Sequence, residues 1–175
     1  MRTLILSALV FAALAGPAAA ATFDTGCIQR LTTPERRVAF AEALRKKGLE
    51  VDPDVKESDE AYLRSCGVNS GNTGEAGRYL AAWQLYVGTA LILEQDFRVA
   101  PAALDRAWLD LSAEDRAHVA AVAAMMGVKD PSEAERDRFI AIARRMEAAL
   151  GTPSQAFQMV FAYAIARSYV ETYTD

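Results

Sequence analysis

The chain has 175 residues, with 23 acidic against 19 basic side chains, a formal net charge of −4 and 52% hydrophobic residues. That is enough apolar material for one ordinary domain with a real core, and the mild acidity removes any electrostatic case for nucleic-acid binding. A single histidine and two cysteines leave little for metal or nucleophilic chemistry.

The first twenty residues read as a secretory leader. Arg2 supplies the positive start, Leu4 to Leu14 the apolar run, and Gly16-Pro17 a break. Ala18-Ala19-Ala20 fits the small-x-small cleavage rule, which makes Ala21 the expected mature start and Thr22 the fallback. Residues 1–20 are thus expected to be removed, leaving 21–175 as a single helical domain in the periplasm or outside the cell. Lipidation at Cys27 is not expected, because Asp24-Thr25-Gly26 lacks the small or aliphatic run that should precede it.

Cys27 and Cys66 are an even pair in an exported chain, so a structural disulfide is the default. Neither lies in a CxxC motif or beside a histidine, as a reactive thiol would require. Between them lies the first clear helix: Thr33 as N-cap, Pro34 at the first helical position, Glu35 at the positive end, and Lys46-Lys47-Gly48 as the stop. Asp52-Pro53-Asp54 marks a connector, and a short helix from Ser58 to Ser65, capped by Ser58, should bury Tyr62 and Leu63. Residues 21–70 therefore form a helical hairpin pinned by the bridge to an N-terminal tail. The Phe40-Ala41-Glu42-Ala43-Leu44 helix between the cysteines loosely resembles the small periplasmic acid-stress chaperones, over Cys27 to Cys66 alone and with those proteins much shorter.

Gly67 to Gly77 reads as a mobile surface loop. It lacks the strand and the Lys-Ser/Thr pair of a phosphate loop, and Ser70 is displaced from the position a nucleophile elbow needs. Asn72 followed by Glu75 predicts a capping box for the next helix.

Residues 74–175 form the bundle core of this reading, and Tyr79 to Leu93 is its centre. The segment carries no charge and is apolar nearly all round. At 1.5 Å per residue it reaches only ~22 Å, short of the roughly 30 Å hydrocarbon core, which favours a buried helix over a membrane span. Tyr79, Trp83 and Tyr86 share one face and form the candidate binding face for a partner helix or apolar ligand.

Past a break at Phe97 to Ala100, Pro101 opens a segment with Leu104, Ala107, Trp108 and Leu111 inward. Ser112-Ala113-Glu114-Asp115 caps a helix expected to reach Met126 before Gly127, and Asp130-Pro131 is expected to cap the next, with Phe139, Ile142 and Met146 inward and Gly151 as its stop. Thr152-Pro153 starts the last helix, whose Tyr163, Tyr169 and Tyr173 suggest a solvent-facing interface stripe. No segment alternates at period two, and the proline spacings share no repeat. The expected fold is all-α, a compact bundle of about six helices.

Chemistry is mostly absent from the sequence. No metal or cofactor set is predicted, and His118 reads as a boundary residue. Glu94, Asp96, Asp105, Asp110, Glu114 and Asp115 cluster in sequence, and paired carboxylates would suit a small cell-wall glycan hydrolase. The leading expectation is a non-enzymatic exported protein that binds another exported protein or an apolar ligand, chaperone-like or toxin-neutralising roles included. The hydrolase is the alternative, and a peripheral membrane protein using Tyr79–Leu93 or Ala156–Ala166 is the third reading.

Overall fold

The computed structural model describes residues 22–125 and 130–173. The leader reading and the expected stop at Met126-Gly127 fall outside them. Among the described residues the protein is all-helical, with eight α-helices and no strand. In chain order these are α1 (Thr25–Leu31), α2 (Pro34–Lys47), α3 (Glu60–Ser65), α4 (Thr73–Phe97), α5 (Pro101–Leu109), α6 (Ala113–Met125), α7 (Glu133–Leu150) and α8 (Phe157–Glu171).

The element that raises the expected count is α1, which occupies what reads in the sequence as a tail. Asp24 caps it, accepting the Cys27 N–H at 2.8 Å. The Asp24 N–H in turn donates to the Cys66 carbonyl at 2.8 Å, and Tyr62 Oη donates to the Cys27 carbonyl at 2.9 Å. These hydrogen bonds run parallel to the Cys27–Cys66 disulfide, which joins positions 39 apart with both residues buried. Closing a loop of that size contributes on the order of 4 kcal/mol by the loop-entropy argument.

α2 begins and ends as its sequence dictates, with Thr33 Oγ1 accepting the Arg36 N–H and Gly48 taking the left-handed φ of 66° at its end. Its buried face (Phe40, Ala41, Leu44) lies on α4 at Gly88. A Cβ on Gly88 would stand 2.8 Å from Phe40 Cδ1 and 3.0 Å from Leu44 Cδ1, so the missing side chain sets the helix separation. The connector from Gly48 to Asp59 contains two 3-10 turns, the second of which leads directly into α3. Asp59, not Ser58, therefore stands at the start of α3, and Tyr62 and Leu63 are half-buried rather than buried.

The glycine-rich stretch divides in two. Gly67 to Asn72 is a loop knitted by the buried Asn72 side chain, whose Oδ1 accepts the Asn69 N–H at 2.7 Å while Nδ2 donates to the Gly67 carbonyl at 3.1 Å and Thr22 Oγ1 at 2.9 Å. Asn72 precedes the helix without capping it through its side chain, which corrects the expected capping box. Thr73 to Gly77 already belongs to α4.

α4 has 25 residues, ten more than its uncharged stretch, and spans about 37 Å. Length therefore does not exclude a membrane crossing; the added turns carry Glu75, Arg78, Glu94 and Asp96, and no described helix is long and apolar enough to cross. Two polar groups inside the apolar stretch are satisfied locally. Thr89 Oγ1 donates to the Leu85 carbonyl at 2.7 Å, and the buried Gln84 amide grips the main chain of Asp54 across the connector.

α8 shares the centre with α4. It packs along α4, and Val160 to Ala166 is continuously buried. α1 and α2 cover the other side of α4, α6 and α7 cover α8, and α5 bridges α7 and α4. The buried apolar residues of all these helices form one contiguous core. At α7 the cap is Ser132, in a reciprocal box with Glu135, rather than Asp130-Pro131. Gly151 ends that helix with φ 64° as expected. Pro153 leads first into a 3-10 turn and only then into α8.

Candidate functional site

A groove of about 530 Å³ opens where α4, α5 and α8 meet, with one residue each from α1 and α6 in its lining. α4 supplies Trp83 and Tyr86, whose rings are 5.5 Å apart and tilted by 47°. Both are partly exposed, Tyr86 with Tyr163 and Arg167 of α8 against it. α5 supplies Trp108 and Leu109, α6 Arg116, α8 Arg167, Val170 and Glu171, and α1 Gln29.

Arg167 is the electrostatic centre of the groove. Its side chain is 20% exposed, and its guanidinium donates to Asp105 at 2.9 Å, Glu171 at 2.8 Å and the Tyr86 hydroxyl at 2.6 Å. It also lies 5.3 Å from the centroid of the Tyr86 ring. Burial alone would lower its pKa; the Glu171 hydrogen bond and the neighbouring Tyr86, Tyr163 and Glu171 outweigh that and move it up, so Arg167 is a fixed cation. Trp108 is 1% exposed and donates its indole N–H to both Glu171 oxygens at 2.9 Å. It is a wall set from behind.

Arg116 differs from Arg167. Its Nη1 donates to the Leu109 and Leu111 carbonyls at 3.0 and 2.6 Å, which closes the C-terminal end of α5, and among the described residues no carboxylate pairs with it. The groove thus carries two guanidiniums, of which only Arg167 is paired with carboxylates among the described residues. Leu109, at 61% exposure, is an exposed apolar residue on its rim.

The structure splits the predicted aromatic face. Trp83 and Tyr86 stand in the groove, but Tyr79 is 0% exposed: its hydroxyl accepts from Gln29 Nε2 at 2.6 Å and its ring meets Tyr173 at 5.3 Å and Phe23 at 5.9 Å. One turn of α4 separates a surface aromatic from a core one, because Gln29, Phe23 and Tyr173 close over Tyr79. The last-helix tyrosines are not a solvent stripe either. Tyr163 and Tyr169 are buried and Tyr173 half-buried, Tyr163 stacking on Tyr86 with centroids 5.2 Å apart.

The acidic cluster also disperses. Asp96 pairs with Arg45 of α2, Asp105 with Arg167, Glu114 and Asp115 with Arg138, and Asp115 also with Arg145 of α7. Glu94 and Asp110 are exposed. These carboxylates tie helices together. The two nearest the groove, Asp105 and Glu171, are bridged by Arg167, which fills the space a substrate oxygen would need between a catalytic pair. His118 is half-buried, its Nε2 3.0 Å from the Glu135 carbonyl, and no described group of three His, Cys, Asp or Glu could hold a metal.

The surfaces named for the membrane reading are interior. Tyr79–Leu93 and Ala156–Ala166 are mostly buried, and the exposed large hydrophobic residues (Val38, Val55, Leu109, Ile140) are scattered over α2, the connector, α5 and α7. Neither segment presents a continuous exposed apolar face.

Sequence reasoning missed the two arginines. Arg167 had a visible signal: a lone cation inside the otherwise apolar Ala162 to Ala166 and Tyr169-Val170 run. No protein-family model matches the chain, and neither a characterised protein nor a solved structure shows significant similarity to it.

Proposed function

We propose that this is a non-enzymatic binding protein, exported to the periplasm or secreted, whose contact surface is the groove between α4, α5 and α8. The observation that carries the reading is the partly exposed Trp83–Tyr86 pair in a groove whose lining includes Arg116, a guanidinium that meets no carboxylate among the described residues. Aromatic rings that keep a polar neighbour at an open edge are the residues on which binding surfaces concentrate their energy. The Ala18-Ala19-Ala20 leader pattern and the buried disulfide support an extracytoplasmic location. A partner among other exported proteins, bound in a chaperone-like or toxin-neutralising manner, fits this surface better than a glycan.

Photo-cross-linking in cells tests it. A benzophenone amino acid at Leu109, on the groove rim, should give a discrete adduct that the same probe at Val55, exposed on the connector, does not. Equal adducts from both positions, or none at Leu109, would overturn the groove as the contact surface.

A further inference from the structure

Arg116 sets the chemistry of the occupant. The charge of Arg167 is met by two carboxylates, whereas among the described residues Arg116 meets only two main-chain carbonyls, both through Nη1. A guanidinium has five donors in a planar fork, and the natural partner of its remaining edge is a carboxylate. Gln29, also in the lining, spends Nε2 on Tyr79, so Oε1 is the acceptor it has left. The Trp83 and Tyr86 rings and Val170 share the same lining. The groove's volume, about 530 Å³, falls in the range of sites that enclose small ligands.

A carboxylate, an N–H donor and a large apolar side chain together describe the last residue of a peptide. Building on the groove as contact surface, we infer that it recognises the free C-terminus of an extended chain ending in a large apolar residue. Arg116 takes the terminal carboxylate, Trp83 and Tyr86 hold the side chain, and Gln29 accepts a main-chain N–H. Arg167 keeps Tyr86 in place and is not itself available to the ligand's charge.

The chain reports on this groove unaided, because it has two tryptophans and both line it. Intrinsic fluorescence should be titrated with acetyl-Ala-Ala-Phe and, separately, with its C-terminal amide. The acid should bind at least about tenfold more tightly than the amide, the size of a charge-assisted hydrogen-bond pair. R116Q should bring the acid down to the amide's affinity, and R116K should fall between. Equal affinity of acid and amide for the unmodified protein overturns carboxylate recognition, and so does a fluorescence response to neither peptide. The Leu109 cross-link is read independently of either result, so failure of the C-terminal specificity is distinguishable from failure of the contact surface. Because the acid–amide comparison uses the unmodified chain, it stands even where R116Q weakens the end of α5.

Discussion

The side-chain amide of Gln84 holds the main chain of Asp54 at both ends: the Asp54 N–H donates to Gln84 Oε1 at 2.7 Å, and Gln84 Nε2 donates to the Asp54 carbonyl at 3.1 Å. A buried glutamine in the centre of an apolar helix is thereby explained as the tether of the connector between α2 and α3. Gln84→Leu keeps the volume and removes both hydrogen bonds, and it should cost about 1–3 kcal/mol in urea unfolding. Hydrogen exchange at the Asp54 amide should accelerate sharply in the variant. Unchanged protection there would show that the tether does not hold the connector.

At Gly88 two effects oppose one another. Alanine is better than glycine in a helix interior by about 1 kcal/mol, but here its Cβ would meet Phe40 and Leu44 inside van der Waals distance. Overpacking of this kind costs about 1–3 kcal/mol, so Gly88→Ala should destabilise despite its helix propensity. Combining it with Phe40→Leu should recover part of the loss, with a coupling above ~0.5 kcal/mol. A stabilised single variant would mean that α2 and α4 are not in close contact.

Much of the fold is legible in local signals. Thr33-Pro34, Gly48, Ser112 and Gly151 mark helix ends because caps and left-handed glycines act over a single turn. The uncharged Tyr79–Leu93 stretch marks the centre because only a buried helix is apolar all round. α1 escapes notice because seven residues with a glycine among them show no period, and its stability comes from the disulfide and from α4. The α7 cap is misplaced because Asp130 and Ser132 are both good caps, and only the Glu135 reciprocity chooses between them. The groove is least legible: Arg167 meets Tyr86 81 positions away and Asp105 62 positions away, contacts that exist only once α4, α5 and α8 have packed. By the same logic, Tyr79 and Trp83 look equivalent in sequence and differ by the cover that Phe23, Gln29 and Tyr173 give the first.

Acid should loosen the connector. Burial raises the Asp59 carboxyl, but the Lys56 N–H and the Arg36 guanidinium, 2.8 Å away, outweigh it and hold its pKa below the ordinary 3.8. A carboxyl depressed in the folded state stabilises above its unfolded pKa and loses that contribution as pH falls through the folded value. Asp59→Asn should therefore cost about 2–3 kcal/mol near neutral pH. The gap from the unmodified protein should close as pH falls below about 4. Melting temperatures across that range check the sign; a gap that persists undiminished in acid would assign the loss to packing rather than to the ion pair.

Trp83 stands partly exposed at the groove, whereas Trp108 lines it from inside. Acrylamide quenching of the two single-tryptophan variants measures this directly. In Trp108→Phe, where Trp83 alone emits, quenching should be several-fold stronger than in Trp83→Phe, where the buried Trp108 alone emits. Equally weak quenching in both would place Trp83 in the core, close the groove and contradict the binding reading.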